Sequence, residues 1–530
     1  MAEKKLVLVL KSTSEYIKYS GAEAKKYLPQ LNRFFESMNS TYLPLLDMCE
    51  RLENENVPFK FGLVLSPVVC TLFDDAEIQN QYLSWLDNRI EVGRKELEKS
   101  SYSAEITDNV RRCLSYNQKA KEIYTRCKGK LNKKFLEFHK KGLIELLATC
   151  GTDAFLPHYN DIPEVVNAQI ETGFFSYKAF FGEVPDGFWL PELGYYPGSE
   201  AFIRQYGFNY TILDSRSFLF SENTPEKGIF SPARFENSLV AFCRDNSTDS
   251  LIFDEDEGYA NNPLFLETKR DIGFELSQEE LLPYFGKDSP RYSLGYRYWA
   301  RSEDEKTVYN QEKAGQKASE FAEDFLSKKT ELLNTAASLL PDEKNVSLLV
   351  TLDLDTFRTE WAEGLFWIEN LFRKVSSFGV SFELARNLIE NQYSLQRIKP
   401  CYGSNTPLGY GEELLSSKNN WMMRYVRKAS ERMVDLSDRF PDDTGLKARL
   451  LNLGAKELLM AQSSGWAKMI EDDDFPEYAE MRFKQSINDF TAVFDALGSK
   501  TVSTEWLTNL ENAHQIFPWM NYKIFCKKTY

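Results

Sequence analysis

Four short apolar runs in this chain each end in a carboxylate. "LLATCGTD" closes on Asp153, "GFWLPE" on Glu192, "YTILD" on Asp214, and "NVSLLVTLDLD" on Asp353 and Asp355. Runs of this length bounded by turn residues read as buried strands. Long amphipathic segments separate them, which is the pattern of parallel βα units. A closed barrel brings the tips of successive strands to one point, so acids at those tips favour a barrel over an open sheet. No G-x-G-x-x-G follows the first strand and no G-x-x-x-x-G-K-[ST] occurs, so the two common nucleotide-binding readings lose their support.

Along the chain, "KLVLVL" (5–10) and "FKFGLVLSPVVC" (59–70) read as the first two strands. Residues 22–56 read as helical, through Leu28, Leu31, Phe34 and Phe35. Residues 74–141 are long, charged and amphipathic, and are expected to be a helical insertion. "YTILDSRSFLF" (210–220) reads as a strand, 221–310 as long loops over a rigid scaffold, and 311–339 as a helix. From about 385 the pattern is helical, with amphipathic runs at 413–440, 444–464 and 476–497. The expected organisation is a barrel domain over 1–384, with its insertion at 74–141, and a helical domain over 385–530.

Composition narrows the partners. Lys and Arg number 64 against 79 Asp and Glu, a net charge of −15, which argues against nucleic acid or an anionic membrane. No apolar run approaches the ~20 residues of a membrane span. The eight cysteines are scattered without a C-x-x-C pair, as expected of free thiols in a reducing compartment. The three histidines, His139, His158 and His514, show no metal-ligand spacing, so neither metal nor cofactor is expected. "MAEKK" opens no signal peptide, and the expected location is the cytoplasm. Nothing in the sequence fixes the oligomeric state.

Glu192 lies in "GFWLPELGYYPG" (187–198), flanked by Trp189 and Tyr195 and by prolines 191 and 197. The prolines fix φ and hold the loop after the strand. A carboxylate there is either a catalytic group desolvated by rings or a structural group that caps a helix or pairs with an arginine. Two carboxylates at a barrel mouth suit glycoside chemistry, one attacking the anomeric carbon while the other protonates the leaving oxygen. Rings stack on the apolar faces of sugars, and Trp189, Tyr195, Tyr196, Trp361, Trp421 and Trp466 are available, though each also suits a core.

"GFWLPELGYYPG" resembles the nucleophile motif of glycoside hydrolase family 57, most closely in its α-1,4-glucan branching enzymes. "VTLDLDTFRTEWAEG" (350–364), "TDAFLP" (152–157), "QSSGW" (462–466) and "EGYANNPLFLETKRDIGFEL" (257–276) are similar to further family segments in the same order. The resemblance implies an incomplete (β/α)7 barrel, a retaining mechanism with Glu192 as nucleophile and Asp353 as acid/base, and an α-glucan as substrate. It implies no metal. Trp189, Asp153, Lys11, Asp214, Trp361, Trp421 and Trp466 are the candidate substrate-binding residues.

The sequence also departs from the family. Lys11, Thr13 and Glu15 stand where a His-x-His-x-Pro pattern is expected, Asp153 where a histidine is, and Gly465 where an aspartate is. Asn405 and Leu414 stand where cleft tryptophans are expected, and Lys227 where a loop tyrosine is. Both carboxylates persist while several sugar-holding groups do not. Two readings follow: a branching transglycosylase, or a glucan-binding or regulatory protein on the same scaffold. A metal-dependent deacetylase lacks its ligands.

Overall fold

Strand β1 (Glu3–Ser12) pairs in parallel with β2 (Phe61–Leu65) on one side and with β8 (Asn345–Asp353) on the other. The structure is a computed structural model that describes residues 2–18, 28–285, 290–302, 304, 306–389, 392–499 and 503–527. From β2 the parallel order continues through β3 (Ile144–Thr149), β4 (Gly187–Trp189), β5 (Tyr210–Leu213) and β7 (Val240–Cys243). The two-residue β6 (Ala233–Arg234) is antiparallel to β7, and β9 (Ser381–Phe382) adds to β1. The ring closes weakly: Asp245 N–H donates to the Leu349 carbonyl at 2.7 Å, beside a single bridge between Arg244 and Leu349. This is an incomplete barrel of parallel strands.

Alternation along the strands explains their uninterrupted apolar character. Val7 and Val9 of β1 point inward, where they meet Val64, Leu147, Tyr210, Ile212, Val240, Phe242 and Leu349 from the other strands. Leu6, Leu8 and Leu10 point outward into the larger core beneath the helices. β2, β3, β4, β5 and β7 are buried on both faces along their whole length, so no polar alternation shows in them.

Four helices, Pro67–Asp74, Ala76–Leu97, Ala104–Arg126 and Leu131–Lys140, lie between β2 and β3. The helix expected over 311–339 is Gln311–Leu339. Helices Trp421–Arg439, Gly445–Ala461 and Pro476–Ser499 make up most of the C-terminal region. The helix expected over 22–56 begins, within the described residues, at Leu28 and passes through a π-helical turn at Met38–Tyr42; its first part, 22–27, lies outside them.

Three expectations need correction. The second strand ends at Leu65, because Ser66 caps a new helix, Pro67–Asp74, by accepting from Val69 N–H. The strand expected over 210–220 ends at Leu213, because Asp214 caps Ser215–Leu219 by accepting from Arg216 N–H. The stretch 221–310 is not loop throughout: it holds β7, a barrel strand of four residues in a polar neighbourhood.

Candidate active site

Glu192 sits on a tight turn, Pro191–Leu193, immediately after β4. Its backbone is left-handed, φ 49° and ψ 28°, and Leu193 follows at φ 46°. Two consecutive non-glycine residues in this region hold strain of about 1–3 kcal/mol each. The surroundings hold them there. Leu193 N–H donates to Leu190, Gly194 N–H to Pro191, and Asn405 N–H to the Glu192 carbonyl at 3.0 Å. The turn aims a buried carboxylate into a cavity at the strand tips.

Lys11, at the end of β1, is buried beside it. Its Nζ lies 3.4 Å from Glu192 Oε1 and 3.3 Å from Asp353 Oδ2. Register accounts for the second contact, since Lys11 and Asp353 are partners across the β1–β8 ladder. The two carboxylate oxygens are thus no farther apart than those two contacts laid end to end. That bound on one oxygen pair admits the ~5–5.5 Å carboxyl separation of a retaining pair. Lys468 Nζ, on the helix Gly465–Glu471, lies 3.9 Å from the same Glu192 oxygen. With its amide nitrogen turned to the carboxylate, Asn405 donates to Glu192 Oε2 at 3.1 Å.

The electrostatics follow from this geometry. The Lys11 ammonium holds the Glu192 carboxyl well below the usual carboxylate range, against its burial, with Lys468 and Asn405 helping. Burial opposes the charge on Lys11, yet Glu192 and Asp353 together hold it protonated. Asp153 is pushed up by burial and by the Glu192 charge, against Lys11. Its Oδ1 is buried without a hydrogen-bond partner among the described residues. Its backbone carbonyl accepts from Ser464 N–H at 3.0 Å, tying the β3 loop to the C-terminal helices.

Lys11, Asp153, Glu192, Asp353 and Lys468 line a cavity of about 170 Å³ together with Glu15 and Gly465. Glu15 explains the glycine. A Cβ on residue 465 would fall 1.6 Å from Glu15 Oε1, so the Glu15 carboxylate occupies the space of a side chain there. Gly465→Ala is expected to swing Glu15 aside, with a loss at the low end of the ~1–3 kcal/mol of overpacking. Gly465→Asp adds like-charge repulsion and should melt lower still, whereas Glu15→Ser in the same chain should recover most of the difference. Thermal melts of the three proteins check this; equal melts for Gly465→Asp with and without Glu15→Ser would contradict it.

Several expected site residues lie elsewhere. Asp214 is fully buried and paired with Arg244 at 3.0 Å, a structural bond beneath the strand tips. Trp189 packs inside the barrel with Val7 and Tyr210. Trp361 is fully buried against Trp367, ring centroids 5.2 Å apart. Trp466 is buried and donates to the Met460 carbonyl at 2.9 Å. Trp421 is half-buried edge-on to Phe483. None of the four rings lines the cavity, because their apolar surface is taken up by core packing. Asp355 does face it, but bound to Arg358 and Arg33.

Sequence reading missed Lys468 and the bonds of Asn405 to Glu192, because both come from segments more than 200 residues beyond it. The described residues bring one group of possible ligands within 4.8 Å: Glu457, Asp489 and His514. It lies in the C-terminal region, where His514 already bonds Glu457. No two of the eight cysteines are joined in a disulfide among the described residues. Among the described residues no helix is long and apolar enough to cross a membrane.

Known proteins share this architecture. Residues 7–399 match the family model for glycosyl hydrolase family 57, and 425–525 match that for the C-terminal region of 1,4-alpha-glucan branching enzyme. The chain is 24% identical over 491 residues to the 1,4-alpha-glucan branching enzyme TK1436 of Thermococcus kodakarensis, covering 86% of this chain and 69% of that one. It superposes on the crystal structure of the alpha-amylase AmyC from Thermotoga maritima with a TM-score of 0.90 and 26% identity, over 100% of both chains. The crystal structure of TK1436 gives a TM-score of 0.88 at 22% identity, over 99% of this chain and 97% of that one.

Proposed function

Since the chain belongs to glycosyl hydrolase family 57, we propose that it is a retaining α-glucan-active enzyme whose main reaction is 1,4-α-glucan branching. The observation that carries this reading is the buried Glu192 carboxyl, which one lysine, Lys11, links to Asp353.

In this mechanism the Glu192 carboxylate attacks the anomeric carbon of an α-1,4 bond while Asp353 gives its proton to the departing glycosidic oxygen. A glycosyl ester on Glu192 results, and the reducing-end fragment leaves. Asp353 then takes the proton of an incoming 6-hydroxyl, whose oxygen displaces Glu192 from the same carbon. Two inversions give net retention. Lys11 keeps the nucleophile ionised, and Asp153 offers its unpartnered oxygen to a sugar hydroxyl. Similarity to branching enzymes over both the barrel and the C-terminal region supports transfer over hydrolysis.

One observation favours the second reading, a glucan-binding protein without turnover. Lys11 Nζ stands between the two carboxylates, where a glycosidic oxygen has to enter. Incubation with amylose separates the readings. New α-1,6 linkages with few new reducing ends are the expected result. Reducing ends alone make the protein a hydrolase, and bound glucan with neither product makes it a binding protein.

A further inference from the structure

Behind the wall of the catalytic cavity lies a second, larger one of about 940 Å³, lined by neither Glu192, Asp353 nor Lys11. That volume is within the ~300–1,000 Å³ of ligand clefts. The helix Leu28–Ser37 and its π-helical turn form part of the partition: Ser37 and Tyr42 face the catalytic cavity, Asn39 and Ser40 the second. Such turns concentrate at functional sites.

Three features define what fits. First, Tyr116 and Phe366 line the cavity while 43% and 46% exposed, large rings left in water. Second, the charges of the wall neutralise one another: Arg51 bonds Asp47 and Glu369 at 2.9 and 2.6 Å, and Glu36 binds Arg89 at 2.9 Å and Arg297 at 3.1 Å. Lys119 is likewise held by Asp47 and Arg358 by Asp355, while Arg112 lies over the Tyr309 ring and spends its N–H groups on two neutral oxygens, Asn109 Oδ1 at 3.1 Å and the Arg297 carbonyl at 2.8 Å. Third, Asn39, 5% exposed, carries an amide oxygen without a partner among the described residues. Exposed rings, paired charges and a spare acceptor suit a neutral ligand with apolar faces and many hydroxyls.

We propose that this cavity is a second, non-catalytic binding site for a linear α-glucan segment. The identity of the ligand rests on the α-glucan reading above; the cavity does not use Glu192. Its wall touches the catalytic centre through a chain of bonds. Arg358 lines the second cavity and grips Asp355 at 2.9 and 2.8 Å, and Asp355 N–H donates to Asp353 Oδ1 at 2.9 Å.

The test is maltoheptaose titration by calorimetry, in Glu192→Gln protein so that nothing is consumed. Two sites per chain are expected. Tyr116→Ala with Phe366→Ala should remove one and leave the other's affinity within twofold. Ser40→Trp, which fills the cavity from its wall without removing a ring, should do the same. With Glu192 restored, either variant should raise KM for amylose severalfold and leave kcat within twofold. A single site in Glu192→Gln protein, or two sites surviving both variants, overturns the proposal. Turnover with a single site overturns it alone; two sites without turnover overturn only the enzymatic reading; neither binding nor turnover overturns both.

Discussion

Glu192→Gln should reduce glucan processing by about 10⁴-fold or more, the scale on which loss of a nucleophile is felt. The amide keeps the shape of the side chain but cannot form the glycosyl ester. The strained turn should persist, because its bonds run through backbone atoms: Leu193 to Leu190, Gly194 to Pro191, and Asn405 to the Glu192 carbonyl. Lys11 loses one of its two partners and keeps Asp353 at 3.3 Å. The variant should therefore fold and bind glucan while failing to turn it over. Initial rates on amylose, with binding measured alongside, check this. Wild-type rates in the variant would remove Glu192 from the chemistry.

Lys11→Met should have the second largest effect, and it is separable by pH. Lys11 is the foremost reason that the Glu192 carboxyl titrates below the usual carboxylate range. A carboxyl so depressed is ionised across the mildly acidic range in the native protein. Without the ammonium, burial dominates and raises its pKa. The acid limb of kcat/KM should accordingly move to higher pH. Activity falls first in mildly acidic buffer and survives best in slightly alkaline buffer. Removing one partner of a buried ion pair costs about 3–5 kcal/mol, and the low end is expected because Lys468 still faces Glu192. A pH–rate profile and a melt give both readouts. An unmoved acid limb would show that Lys11 does not set the nucleophile's charge. A gain of turnover would show that its ammonium blocks the cleft.

Much of this site was legible because strand tips are. An apolar run buried on both faces must stop where its residues turn polar, and in a barrel all such stops share one end. That logic found Asp153, Glu192 and Asp353, while Lys11 was marked only by the family resemblance, as a lysine where a histidine is expected. The strand-tip logic also gathered Asp214, which a neighbouring arginine turns into a structural bond that no local pattern announces. The tryptophans misled for a related reason: a ring that stacks on sugar and one that fills a core have the same composition, and here Trp361 and Trp466 fill the core. β7 was missed because "VAFC" is four residues long and followed by Arg244 and Asp245. Gly465 was visible as a departure, but its cause, the carboxylate of Glu15 in the same space, depends on a contact across 450 positions of the sequence.

The central claim is that Glu192 carries the glycosyl group. The most direct measurement is peptide mass mapping of Asp353→Asn protein quenched during reaction with an α-maltosyl fluoride, whose leaving group needs no protonation. The expected result is a maltosyl adduct on the peptide containing Glu192, absent when Glu192→Gln is added. An adduct on another residue, or release of fluoride at the same rate with Glu192→Gln, would contradict it.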